Sequence, residues 1–116
     1  MVTPLQGEVW WVEYPEPVGS EPGFRRPVLV LQGNAFNRSA LQTVVVVPLT
    51  SQLKWEGAPG NVRLAARDTG LPKASVANIT GVGAVDRSLL VERAGMIPAA
   101  RFQIVLRGLD LMLGRG

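Results

Sequence analysis

The chain of 116 residues contains no cysteine and no histidine. Without cysteine there is no disulfide framework and no thiolate nucleophile. Without either residue, Cys/His zinc sites, Ser-His-Asp triads and histidine acid/base pairs are excluded. Catalysis, if present, falls to Arg, Lys, Asp, Glu, Tyr, Ser or Thr, and there is a single tyrosine. Long apolar runs are also missing. The longest, Val44 to Leu49, has the length of a strand and falls far short of the ~20 residues of a membrane-spanning helix. The opening MVTPLQGE has neither a positive start nor an apolar stretch, so a cytosolic (cytoplasmic) protein with no membrane association is expected. Phosphate-cradling motifs are absent as well: there is no GxxxxGK[ST], and the glycines lack dinucleotide-binding spacing.

Lysine is scarce, because ten of the twelve basic residues are arginine, and the net charge is +3. Arginine offers a planar, always-charged fork that fits phosphate in a bidentate way. That balance suits nucleic acid or an acidic protein partner, although many small proteins with similar charge bind neither. Apolar residues make up 47% and charged residues 18%, a globular composition for one domain spanning 1–116 with a modest core.

Gly7–Tyr14 is rich in aromatic and β-branched residues and reads as a strand ended by Pro15 and Pro17. A long polar loop ends at Arg25-Arg26, and Pro27–Leu31 follows as an apolar strand. Asn34–Ala40 holds one helical turn with Asn34 as cap. Thr43–Leu49 carries four consecutive valines without alternation, the mark of a strand buried on both faces. Asn61–Ala65 alternates as a half-exposed strand, Asp68–Lys73 reads as a turn, and Ser75–Val85 as one or two strands containing Gly81 and Gly83. Then the period changes. Phe102, Val105, Leu106, Leu109 and Leu113 form one helical face after Pro98, with Gly114 as the stop. Several short strands with a docking C-terminal helix make a strongly bent sheet or small barrel.

If the strands at Pro27–Leu31 and Thr43–Leu49 pair antiparallel, Arg26 and Thr50 become neighbours in space. A guanidinium fork and a hydroxyl then converge on one point, an arrangement that suits a phosphate. Each residue also has a plainer reading: Arg25 and Arg26 as a solvated face, Thr50 and Ser51 as turn residues. Trp10 and Trp11 point to opposite faces, so at least one is core, and Trp55 is the better candidate for an exposed aromatic.

Gly7-Glu8-Val9-Trp10-Trp11-Val12, Gly19-Ser20-Glu21, Arg25-Arg26-Pro27-Val28-Leu29-Val30 and Val47-Pro48-Leu49-Thr50-Ser51, in this order, resemble the MazF/PemK family of toxin endoribonucleases. Gly70-Leu71-Pro72-Lys73, Ser75-Val76 and Val85-Asp86-Arg87-Ser88 extend the resemblance to about Gly7–Leu113. It implies a mainly β fold with α: an SH3-like barrel of the CcdB/MazF/Kid type with a C-terminal α-helix, usually a homodimer. It further implies cleavage of single-stranded RNA with no metal or other cofactor, and neutralisation by a cognate acidic antitoxin. Carried over, the catalytic residues are Arg26 and Thr50, with Ser20 positioning the phosphate. Glu21, Arg25, Asn37, Arg38, Ser51, Asn78 and Gly81 complete the expected RNA-binding set. The general base stays open, with Glu21 one candidate.

The chain also departs from the family pattern. Gly81 stands where many members have glutamine, and Gly83 where many have a basic or polar residue. Two readings follow: an opened base pocket, or a weakened enzyme. The alternatives to a ribonuclease are a noncatalytic RNA- or antitoxin-binding relative, and a gyrase poison resembling CcdB. The latter needs an aromatic-bearing tail, and the chain ends Leu113-Gly114-Arg115-Gly116.

Overall fold

The computed structural model describes residues 2–15 and 24–116. Among these described residues are seven strands: β1 (Glu8–Glu13), β2 (Arg25–Val30), β3 (Thr43–Thr50), β4 (Val62–Leu64), β5 (Ser75–Ala77), β6 (Gly83–Asp86) and β7 (Leu90–Met96). Helical turns α1 (Asn34–Asn37) and α2 (Ala66–Thr69) lie between strands, and α3 (Ala99–Met112) closes the chain. The strands form an antiparallel sheet in the order β4-β5-β3-β2-β1-β7, with β6 also paired to β3. The sheet curls into a half-barrel with α3 packed against it, so the expected barrel-like fold with a C-terminal helix is the one the chain adopts.

The valine run behaves as its lack of alternation implies, because β3 feeds two cores. Val47 and Leu49 join Val9, Leu29, Leu64, Ile79, Phe102 and Val105 under α3. Val44 and Val46 join Trp10, Val12, Val28, Val30 and Leu90 on the other face. Each fully buried Val or Leu contributes about 1.5–3 kcal/mol of transfer free energy. Only Val45 escapes, at 39% exposure. Trp10 is buried in the second core, and Trp11 packs half-buried against the first, as opposite-facing neighbours must.

Ser75–Val85 divides into two strands, with Gly83 in the second and Gly81 in the turn between them. β5 pairs with the end of β3 (Thr50 with Val76), β6 with its beginning (Val46 with Gly83), and a 3-10 turn, Ile79–Gly81, separates them. The break falls opposite Pro48, which has no N–H to donate to that edge and only accepts, from the Asn78 amide at 3.0 Å. The Asn61 side chain then fixes the turn by accepting from the Ile79 amide at 2.9 Å.

Three local expectations are corrected. Gly33, not Asn34, occupies the cap position of α1, and the Asn34 carboxamide accepts from the Gln6 amide instead. Asp68 and Thr69 belong to α2 rather than to an open turn. On α3, Phe102 and Val105 are buried but Leu113 is 57% exposed, because the helix ends at Met112 and Gly114 turns the chain away with φ +74°. Two glycines let α3 dock: a Cβ on Gly108 would lie 2.1 Å from the Gly60 carbonyl oxygen, so backbone meets backbone there.

Candidate active site

The two arginines lie inside β2 rather than at the end of a loop. Arg25 pairs with Glu13 and Arg26 with Val12, and the Tyr14 amide donates to the Phe24 carbonyl to extend the ladder. Since neighbours in a strand point oppositely, the pair divides. Arg25 lies over the Trp11 ring, 5.0 Å from its centroid, and forms an ion pair with Glu92. Arg26 belongs to the other face, that of Val28 and Val30.

β2 pairs with β3 through Val28–Pro48, Leu29–Val47 and Val30–Val46. Carried two residues further, this register sets Arg26 across from Thr50. Residues facing across antiparallel strands share a side of the sheet with Cβ atoms ~4.5–5.5 Å apart, so guanidinium and hydroxyl emerge together. Both residues are half-buried at the mouth of the second core. Arg26 Nη1 donates to the Arg25 carbonyl at 3.3 Å, and Thr50 Oγ1 accepts from the Gln52 amide at 3.1 Å. Tyr14 packs against the same core, and burial raises its phenol pKa above the usual range.

A cleft of about 210 Å³ opens beside this pair, mainly on the Arg25 side. Trp11, Arg25, Ser51, Lys73 and Ser75 line it, and Arg26 joins them. Arg25, Arg26 and Lys73 therefore border one cleft. Lys73 was not among the residues singled out for the site. Its signal was the Pro72-Lys73 turn, whose loop the fold brings against β2 and the end of β3.

The remaining candidates separate. Ser51 lines the cleft. Asn78 lies at the Pro48 break, its Oδ1 accepting from Asn61 Nδ2 at 3.3 Å. Gly81 does not open a pocket, because a Cβ there would sit 2.8 Å from Pro48 Cγ. Glycine is dictated by the proline ring, whereas Gly83 has room for a side chain. Asn37 is fully buried. Its Nδ2 donates to the Gln32 carbonyl at 2.8 Å, its Oδ1 accepts from Gln32 Nε2 at 3.0 Å, and its carbonyl accepts from Arg87 at 2.6 Å. It therefore holds the chain after β2 and presents nothing to RNA. Arg38 is exposed beside it, beyond the end of β2 opposite to Arg26. Ser20 and Glu21 lie outside the described residues.

The fold is a curled β half-barrel closed by one helix, with Arg25, Arg26 and Lys73 bordering its cleft. The chain belongs to the family of PemK-like, MazF-like toxins of type II toxin–antitoxin systems, whose model matches residues 5–113. It is 40% identical over 108 residues to the endoribonuclease MazF6 of Mycobacterium tuberculosis, covering 93% of this chain and 95% of that protein. It is 31% identical over 88 residues to the endoribonuclease EndoA of Bacillus subtilis, covering 76% and 75% respectively. Among solved structures, a MazE–MazF crystal structure from Deinococcus radiodurans superposes with a TM-score of 0.80 at 30% identity, over 100% of both chains. No helix among the described residues is long and apolar enough to cross a membrane.

Proposed function

We propose that this chain is the toxin of a type II toxin–antitoxin pair and an endoribonuclease that cuts single-stranded RNA at the Arg26–Thr50 pair. The observation that supports the reading is the β2–β3 register, which, carried two residues past Val28–Pro48, sets Arg26 across from Thr50. RNA brings its own nucleophile. The 2′-OH attacks the adjacent phosphorus, the bond to the 5′-oxygen breaks, and the products are a 2′,3′-cyclic phosphate and a 5′-hydroxyl. The proton lost by the 2′-OH goes to a base, and the departing 5′-oxygen takes one up. Because no water has to be activated, a metal ion is not needed to generate the nucleophile.

The protein's part is to orient the phosphate and stabilise the charge that grows on it. The always-charged guanidinium is a poor proton donor, so Arg26 acts as charge stabiliser and Thr50 as a hydrogen-bonding partner of a phosphate oxygen. Arg25, Lys73 and Ser51 supply further contacts along the cleft. The raised pKa of Tyr14 keeps its phenol protonated at neutral pH, which removes it as the base. Glu21 stays the candidate that the sequence offers. Gly81 counts less toward a noncatalytic relative than its sequence position implied, since packing against Pro48 accounts for it.

The same cationic cleft suits an acidic, partly disordered antitoxin segment that folds as it binds. A homodimer acting on RNA in the cytoplasm completes the proposal. The test is incubation of the protein, in EDTA, with a diverse pool of long single-stranded RNAs, followed by mapping of new 5′ ends. Cleavage at a short recurrent sequence, abolished in Arg26→Ala and Thr50→Ala, supports the proposal; RNA binding without any new ends sinks it.

A further inference from the structure

Resting on that reading of the site, we infer that Trp55 is a stacking platform for a base of the RNA substrate beside the scissile phosphate. Trp55 is 49% exposed and belongs to neither hydrophobic core. An exposed tryptophan on a loose loop would mean little, but this one is held. It lies in the 3-10 turn Leu53–Gly57, its amide donates to the Gln52 carbonyl at 3.2 Å, and its own carbonyl accepts from the Ala58 amide at 3.1 Å and from Asn61 Nδ2 at 2.9 Å. Asn61 also accepts from the Ile79 amide and reaches Asn78 Oδ1. The turn is thereby tied to the Asn78–Ile79 segment at the Pro48 break, on the strand that ends in Thr50.

Placement and charge then select the occupant. Trp55 follows Thr50 by five residues, so its backbone lies at most about 18 Å from that of the hydroxyl-bearing residue. The Lys54 ammonium sits 5.4 Å from the ring centroid, pairing a cation with a π-face. A nucleotide presents the complement: a flat base to stack and a phosphate for the ammonium. The neighbouring Glu56 is engaged with Arg63 at 3.7 Å.

The experiment compares wild type, Trp55→Ala and Trp55→Phe on an RNA containing the mapped cleavage sequence, and on the same RNA with a 2′-deoxy nucleotide that blocks cutting. Loss of one base–aromatic stack weakens binding by roughly 5- to 150-fold. Trp55→Ala should therefore raise Kd and KM by that factor with kcat little changed, while Trp55→Phe keeps most of the affinity. RNA should also quench tryptophan emission in wild type by an amount missing in Trp55→Phe. Wild-type Kd and quenching in the variants would overturn the platform while leaving the ribonuclease intact. Absence of cleavage by wild type would instead sink the ribonuclease reading itself. Unchanged RNA affinity with lost antitoxin binding would reassign the ring to the protein partner, and so also overturn the proposal. Since Trp55 lies outside both cores, an unaltered melting temperature verifies that each variant is folded.

Discussion

Val28 faces Pro48 across adjacent antiparallel strands, and the same register carried two residues further sets Arg26 across from Thr50. Backbone register, rather than loop conformation, sets their spacing. Under the proposed function each is a preorganised group of the kind whose loss costs about 10²- to 10³-fold in rate. Arg26→Ala and Thr50→Ala should each reduce kcat by that order, and the double variant should fall short of the product because both serve one phosphate. Single-turnover cleavage measures this. Arg26→Lys should rescue poorly, since a point charge does not replace a planar fork.

Gly81 and Gly83 should respond oppositely to a methyl group. Gly81→Ala drives a carbon into the Pro48 ring and should cost about 1–3 kcal/mol, the usual range for overpacking. Gly83→Ala meets nothing closer than 3.9 Å and should leave thermal stability nearly unchanged. Equal melting temperatures for the two variants would refute the packing account.

Asn37→Ala should damage the fold and spare the chemistry. The substitution leaves buried groups of Gln32 without their partner, at about 1–3 kcal/mol. The melting temperature should drop by roughly 5 °C or more, while KM for RNA, measured where the variant is folded, stays at its wild-type value. A raised KM with unchanged stability would return Asn37 to the binding surface.

Glu8 gives the stability a dependence on acid. Burial alone would raise its pKa, but the Leu5 amide, the Trp10 indole N–H and Arg93 together outweigh it and hold the carboxyl below its ordinary 4.5. A pKa lowered by folding means that the unfolded chain binds the proton more readily. The contribution is thus present above about pH 4.5 and is lost as the pH falls through the folded-state value. Melting temperature followed from about pH 7 to pH 3 should decline more steeply for wild type than for Glu8→Gln, whose curve starts lower and runs flatter. Parallel curves would show that Glu8 is not the group responsible.

Much of this was legible from the residues alone, and the exceptions have physical causes. β3 could be read because two cores demand apolar side chains on both faces, which leaves Thr43–Leu49 without alternation. The meeting of Arg26 with Thr50 followed once the two flanking strands were paired. β7 escaped notice because LVERAGM carries Glu92 and Arg93, whose partners, Arg25 and Glu8, lie far away in sequence. Asn37 resembles any asparagine in a polar knot until Gln32 and Arg87 close over it. The break at Ile79–Gly81 depends on Asn61 and Pro48, contacts that no local pattern announces. Leu113 keeps the helical period of its neighbours, but the helix has already ended.

If Trp55 stacks on RNA as inferred, the backbone contact between Gly108 and Gly60 joins α3 to that platform. Gly60 immediately precedes Asn61, and Asn61 grips both the Trp55 turn and the Ile79 amide. A larger residue on α3 at this crossing would lever the Gly60 segment outward and tilt the Trp55 turn without touching Arg26 or Thr50. On that inference a change on α3 reaches RNA sequence preference through the backbone, with the residues proposed to cut left in place.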